Sequence, residues 1–153
     1  MFCKRMRYNR VLSTMAVVLL CACGSKGATE VEVTTVADLA ATWHLTQWEY
    51  ALAADPSTTA DWVAFGGLSG VLGITASGDF TVTPRLPGGS GEDQGRLTLQ
   101  GDSVYWDGED DEEWVRFTLV GRRLTLFWPE EEYVDMDRDG EPEDVRLRVV
   151  FER

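Results

Sequence analysis

The sequence predicts an all-β protein: an eight-stranded antiparallel up-and-down β-barrel, preceded by a signal peptide and a flexible tether. Three observations carry this expectation. Apolar and polar residues alternate in short runs between turn residues, while helical 3.6-residue spacing is scarce. Connections between the runs alternate between tight and long. Once a leader is removed 131 residues remain, one domain by size and enough to bury a core.

Residues 1–22 read as an export leader. Lys4, Arg5, Arg7 and Arg10 make a basic start, and Val11 to Leu20 is a ten-residue apolar stretch. That is too short for a bilayer-spanning helix, which needs about 20 residues. The segment Leu20-Cys21-Ala22-Cys23-Gly24-Ser25 resembles the lipobox of bacterial lipoproteins. The resemblance implies that the Cys23 thiol receives a diacylglyceryl group, that cleavage follows Ala22, and that the new amino group is acylated, palmitate being a usual chain. An ordinary secretory leader with a chance cysteine is the alternative. Several acyl chains anchor firmly, since each buried methylene adds about 0.8 kcal/mol. Gly24 stands where an inner-membrane protein of enteric bacteria carries aspartate. The resemblance therefore implies a bacterial cell envelope location, lipid-anchored, on the outer membrane and facing the periplasm.

The expected division is 1–22 signal peptide, 23–37 lipidated flexible tether and 38–153 barrel. Cys3 and Cys21 leave with the leader and Cys23 is lipidated, so the mature domain has no thiol for a disulfide, a metal or a nucleophile. Losing the four leader cations leaves 10 basic against 26 acidic residues, a net charge of −16. Such a surface repels nucleic acid and anionic headgroups and attracts cations or basic partners.

Eight strands are expected in order: Ala41–Leu52, Leu68–Thr75, Asp79–Leu86, Gly95–Leu99, Ser103–Trp106, Glu113–Leu119, Arg122–Trp128 and Asp144–Glu152. The last shows the clearest alternation. Val145, Leu147, Val149 and Phe151 fall on one face, and Arg146, Arg148 and Glu152 on the other, which marks one buried and one wet side. Ser77-Gly78-Asp79, Gly101-Asp102 and Gly121 make tight turns. The remaining connections, roughly 53–67, 87–94, 107–112 and 129–143, are long. Sequential antiparallel pairing then puts every long connection at one end, and 19 of the 26 acidic residues with them. The first strand begins and the last ends at the opposite end, so the tether attaches away from the acidic rim. Closing the sheet removes its exposed edges.

The run Leu39-Ala40-Ala41-Thr42-Trp43-His44-Leu45 resembles the opening strand of lipocalin-like domains, with Ala41 where glycine is usual. The resemblance implies that Trp43 plugs the barrel end near the N-terminus, under an arginine from a late strand. Arg146, Arg148 and Arg153 are the candidates. It also implies a binding module for a small apolar ligand. Eight strands leave room for packed side chains or for one small ligand, and Trp48, Trp62, Phe65, Tyr105, Trp106, Trp114 and Trp128 suit either. Trp62 and Phe65, in the first long connection, suit a lid or a contact patch. The other reading is a structural or interaction lipoprotein whose barrel is packed and whose acidic loops contact a basic envelope protein.

Asp135-Met136-Asp137-Arg138-Asp139-Gly140-Glu141-Pro142-Glu143-Asp144 is the one metal-like motif, and calcium the one possible cofactor. Its Asp-x-Asp-x-Asp-Gly spacing resembles the start of an EF-hand loop. That resemblance implies side-chain ligation by Asp135, Asp137 and Asp139, the backbone carbonyl of Glu141, and Glu143 directly or through water. Arg146 stands where the bidentate glutamate belongs and the flanks read as strands, so Asp144 is the substitute ligand, and a solvated acidic loop is the alternative. The run Glu109–Glu113 lacks this spacing and reads as a solvated tip. His44, the sole histidine, faces away from Trp43. No nucleophile–base arrangement, phosphate loop or redox pair is visible, so no catalytic residue is expected and the protein reads as non-enzymatic.

Overall fold

The computed structural model describes residues 32–109, 112–136 and 139–153. The leader, Cys23, Asp110, Asp111 and Asp137 lie outside the described residues. A 3₁₀ turn (Val36–Leu39) precedes β1 (Ala41–Leu52), β2 (Thr59–Asp61), a short helix α1 (Trp62–Gly66), β3 (Ser69–Ile74), β4 (Asp79–Leu86), β5 (Gly89–Ser90), β6 (Asp93–Gln100), β7 (Ser103–Gly108), β8 (Glu112–Val120), β9 (Arg123–Val134) and β10 (Glu143–Glu152).

Eight of these strands form a closed antiparallel barrel in chain order: β1, β3, β4, β6, β7, β8, β9 and β10, with β10 returning to β1. The last pairing runs from His44↔Glu152 to Leu52↔Val145. The accessory strands β2 and β5 pair with the far ends of β1 and β4 and extend the wall at the long-connection end. The up-and-down order places tight turns and long connections at opposite ends, as the alternation predicts.

Local sequence accounts for the strands. In β10, Val145, Leu147, Val149 and Phe151 are buried while Arg146 is exposed. Trp43 is buried and His44 exposed. Gly78 closes the β3–β4 turn with φ 92°, and its carbonyl accepts from Leu97 N–H at 2.8 Å. Gly95, paired with Gly108, lets β6 and β7 approach so closely that a Cβ at Gly95 would lie 1.8 Å from the Asp107 carbonyl oxygen.

Two of the register shifts in the sheet alter the expected alternation. In the pairing of β1 with β10 the register shifts between Leu45 and Gln47, so β1 carries one extra residue. Such a bulge moves the inward phase by one residue. Trp43 points in before it; Trp48 and Tyr50 point in after it, while Glu49 faces the outside to meet Arg148 at 2.8 Å. The strand expected to stop at Trp128 instead continues to Val134. Proline cannot donate to a ladder. Pro129 is accommodated where β9 spends three steps, Phe127 to Glu130, against two on β10, Arg148 to Arg146.

The core is concentrated toward the tight-turn end, with Leu68 and Val145 also buried toward the other. Leu39, Trp43, Leu72, Val104, Val115, Leu119, Leu124 and Val149 are almost inaccessible. Val33 and Val36 pack against this cluster. The Trp43 indole N–H donates to the Leu39 carbonyl at 2.9 Å, tying the 3₁₀ turn across the barrel end. Arg153 covers the same ring, its guanidinium carbon 4.6 Å from the ring centroid. It is thus Arg153, rather than Arg146 or Arg148, that packs over the tryptophan. The amides of Thr35 and Thr34 donate to the Asp38 carboxylate at 2.8 and 3.0 Å, and these bonds hold its pKa below the ordinary aspartate value.

Candidate functional site

The opposite end is open. A cup of about 380 Å³ descends from it into the barrel. Its walls are Trp48 and Tyr50 from β1, Val82 and Pro84 from β4, Trp106 from β7, Trp128 from β9, and Leu147 and Phe151 from β10. Gly91, Glu92 and Asp93 stand at its mouth. The volume lies within the range of small-molecule sites, about 300–1,000 Å³. Aromatic packing shapes the walls. Phe80 lies against Trp106 with ring centroids 4.0 Å apart, and Trp128 meets Trp106 edge-on at 5.8 Å.

Asp93 fixes one side of the mouth. Its carboxylate accepts the Trp106 indole N–H at 3.3 Å and the Glu109 backbone N–H at 2.9 Å. Gly108 leaves room for it, since a Cβ there would lie 2.7 Å from the same carboxylate. Glu109 in turn accepts from Gln94 at 2.8 Å. This anchor is not visible in the sequence, because Asp93 and Trp106 are brought together only by the β6–β7 pairing.

The first long connection forms a bracket beside the mouth. Asp61 caps α1 through Val63 N–H at 2.9 Å and accepts from Trp48 N–H at 3.3 Å. The same carboxylate oxygen thus joins the helix to the cup wall. Trp62 packs edge-on to Tyr50 at 5.9 Å, while Phe65 is 84% exposed.

The acidic hairpin tip between β9 and β10 brings together three of the motif's carboxylates. One oxygen each from Asp135, Asp139 and Glu143 lies within 4.8 Å of the others. Their acceptors are partly engaged: Asp135 takes Gly140 N–H at 3.0 Å, Asp139 takes Glu141 N–H at 2.9 Å, and Glu143 takes Met136 N–H at 2.6 Å. Glu141 and the substitute ligand Asp144 are exposed. In the other acidic run, the Tyr105 hydroxyl donates to Glu112 at 3.0 Å, and this bond raises the phenol pKa above its ordinary value.

A larger furrow, about 560 Å³, lies on the outer wall among Trp114, Arg116, Phe127, Pro129 and Arg148. Its charged groups already meet partners within the wall: Arg148 pairs with Glu49, and Arg116 sits 5.8 Å from the Phe127 ring centroid. The cup, concave and lined from six strands, is therefore the stronger candidate site despite its smaller volume. Compared with known protein families, curated proteins and solved structures, the chain finds no match.

Proposed function

We propose that this chain is a lipid-anchored envelope protein whose barrel holds a small apolar ligand in the open cup and performs no chemistry. The observation that carries the reading is the cup itself: aromatic walls on the inner face of a barrel that also holds a buried hydrophobic core. The leader pattern supports a lipidated Cys23. Residues 32–40 reach the barrel at its packed end, where Glu32 and Val33 lie beside the Gly101-Asp102 turn. A tether attached there leaves the cup facing away from the bilayer.

The test is ligand binding followed by calorimetry and tryptophan fluorescence. Val82→Trp fills the cup from one wall. It is expected to weaken binding of an apolar ligand at least tenfold, with melting retained within a few degrees; equal binding by both proteins would overturn the assignment to the cup. Cys23→Ala is expected to abolish acylation and release the protein from membranes. A protein that stays membrane-bound without acylation would overturn the anchor.

The acidic tip fits an accessory role in this proposal: calcium stiffens the β9–β10 hairpin through Asp135, Asp139 and Glu143. Millimolar calcium, the range of weak extracellular sites at about 10⁻⁴–10⁻³ M, is expected to raise Tm relative to EDTA. Asp139→Asn keeps an acceptor for Glu141 N–H but removes a charge, and is expected to abolish the increment. No increment, or the same increment in the variant, would rule the ion out.

A further inference from the structure

We propose that the cup selects a cationic amphiphile: an amine or quaternary ammonium group carried on an apolar body. The inference rests on the reading of the cup as a ligand site and names the chemistry it prefers.

Three features converge. The inner wall presents Trp48, Tyr50, Trp106 and Trp128, whose ring faces carry partial negative charge and attract cations. The mouth carries two carboxylates, Glu92 and Asp93. No lysine or arginine is among the described residues lining the cup, so a ligand carboxylate, sulfonate or phosphate would meet no counter-charge from them. The donors that hold Asp93, an indole N–H and a backbone N–H, are both neutral. They orient the carboxylate without cancelling its charge.

Geometry assigns the two parts of the ligand. The apolar body enters among Val82, Leu147 and Phe151, and the cationic head stays at the mouth beside Asp93, whose carboxylate accepts the Trp106 indole N–H at 3.3 Å. Desolvating a quaternary ammonium costs less than desolvating a primary ammonium with its strongly hydrated N–H donors. The aromatic wall therefore favours bulky alkylated heads, with the carboxylates adding attraction that salt screens. The chain's net charge of −12 extends the same preference to encounter.

The experiment compares three probes of one chain length by calorimetry, each below its micelle-forming concentration: decyltrimethylammonium, decanol and decanoate. The cation is expected to bind about tenfold or more tighter than decanoate, with decanol between them. Its advantage is expected to shrink between low and high salt. The Glu92→Gln/Asp93→Asn variant keeps hydrogen-bond acceptors at both positions and is expected to reduce the cation-to-carboxylate ratio to about threefold or less. Equal binding of the three probes, or preference for decanoate, would overturn the charge selectivity and leave the cup as a general apolar site. An undiminished ratio in the variant would remove the mouth carboxylates from the mechanism and overturn the proposal. Binding of none of the probes would overturn the cup reading itself, and the selectivity with it.

Discussion

Gly95→Ala is expected to destabilise the barrel by about 3 kcal/mol or more, read as a fall of roughly 10 °C in Tm by circular dichroism. The added methyl would lie 1.8 Å from the Asp107 carbonyl oxygen and 2.8 Å from the Gly108 Cα. Both are backbone atoms, so no rotamer change relieves the clash. The β6–β7 ladder must separate locally, and Asp93, Trp106 and Glu109 sit on the segments that would move. The substitution should therefore also loosen the cup. Gly88→Ala is the control: nothing lies within 4 Å of its Cβ, and a change within about 0.5 kcal/mol is expected. Equal melting temperatures for the two variants would contradict the close approach.

Trp43→Ala is expected to cost about 3–5 kcal/mol in denaturant unfolding. The indole is fully buried at the centre of the packed end, and its removal leaves a cavity ringed by stiff strands. The Leu39 carbonyl also loses its donor, which adds about 1–3 kcal/mol if no water replaces it. Trp43→Phe restores most of the volume without the N–H and should fall between. Amide exchange at residues 36–39 should accelerate in both variants, because the bond to Leu39 is what closes the 3₁₀ turn over the barrel. Arg153→Ala removes the guanidinium above the ring and should cost less, about 0.5–1 kcal/mol, since that side chain is partly open to solvent. A Trp43→Ala protein as stable as the parent would refute the plug.

Much of the barrel was legible in the residues. Strand bounds such as Ala41–Leu52 and Asp79–Leu86 follow from alternation bounded by turn residues, and the structure has them at the same positions. Phase was not legible. A period of two reads Gln47 and Glu49 on the same face as Trp43, and only the pairing with β10 reveals the extra residue that turns Trp48 and Tyr50 inward. The strand expected to end at Trp128 is followed by Pro129, which lacks an N–H, yet a bulge lets β9 continue to Val134. Choosing Arg153 over Arg146 and Arg148 required knowing which arginine sits level with Trp43. The cup was open in the sequence, because filling depends on summed side-chain volumes in three dimensions. The grouping of Asp135, Asp139 and Glu143 followed from their spacing around Gly140, whose φ of 96° supplies the bend.

The closing pair of strands has a kinetic consequence. Every wall junction but one joins strands that follow each other along the chain, so it can form by local hairpin zippering. The exception joins β1 to β10, where Thr46 donates to the Val150 carbonyl across 104 positions. Loop-closure entropy makes such a distant contact late and slow to form. Until that seam shuts, two unpaired edges stay exposed to neighbouring chains. The vulnerable species is therefore an unrolled ribbon of otherwise native hairpins, and crowding of nascent copies, rather than fraying of the finished cylinder, sets the aggregation risk.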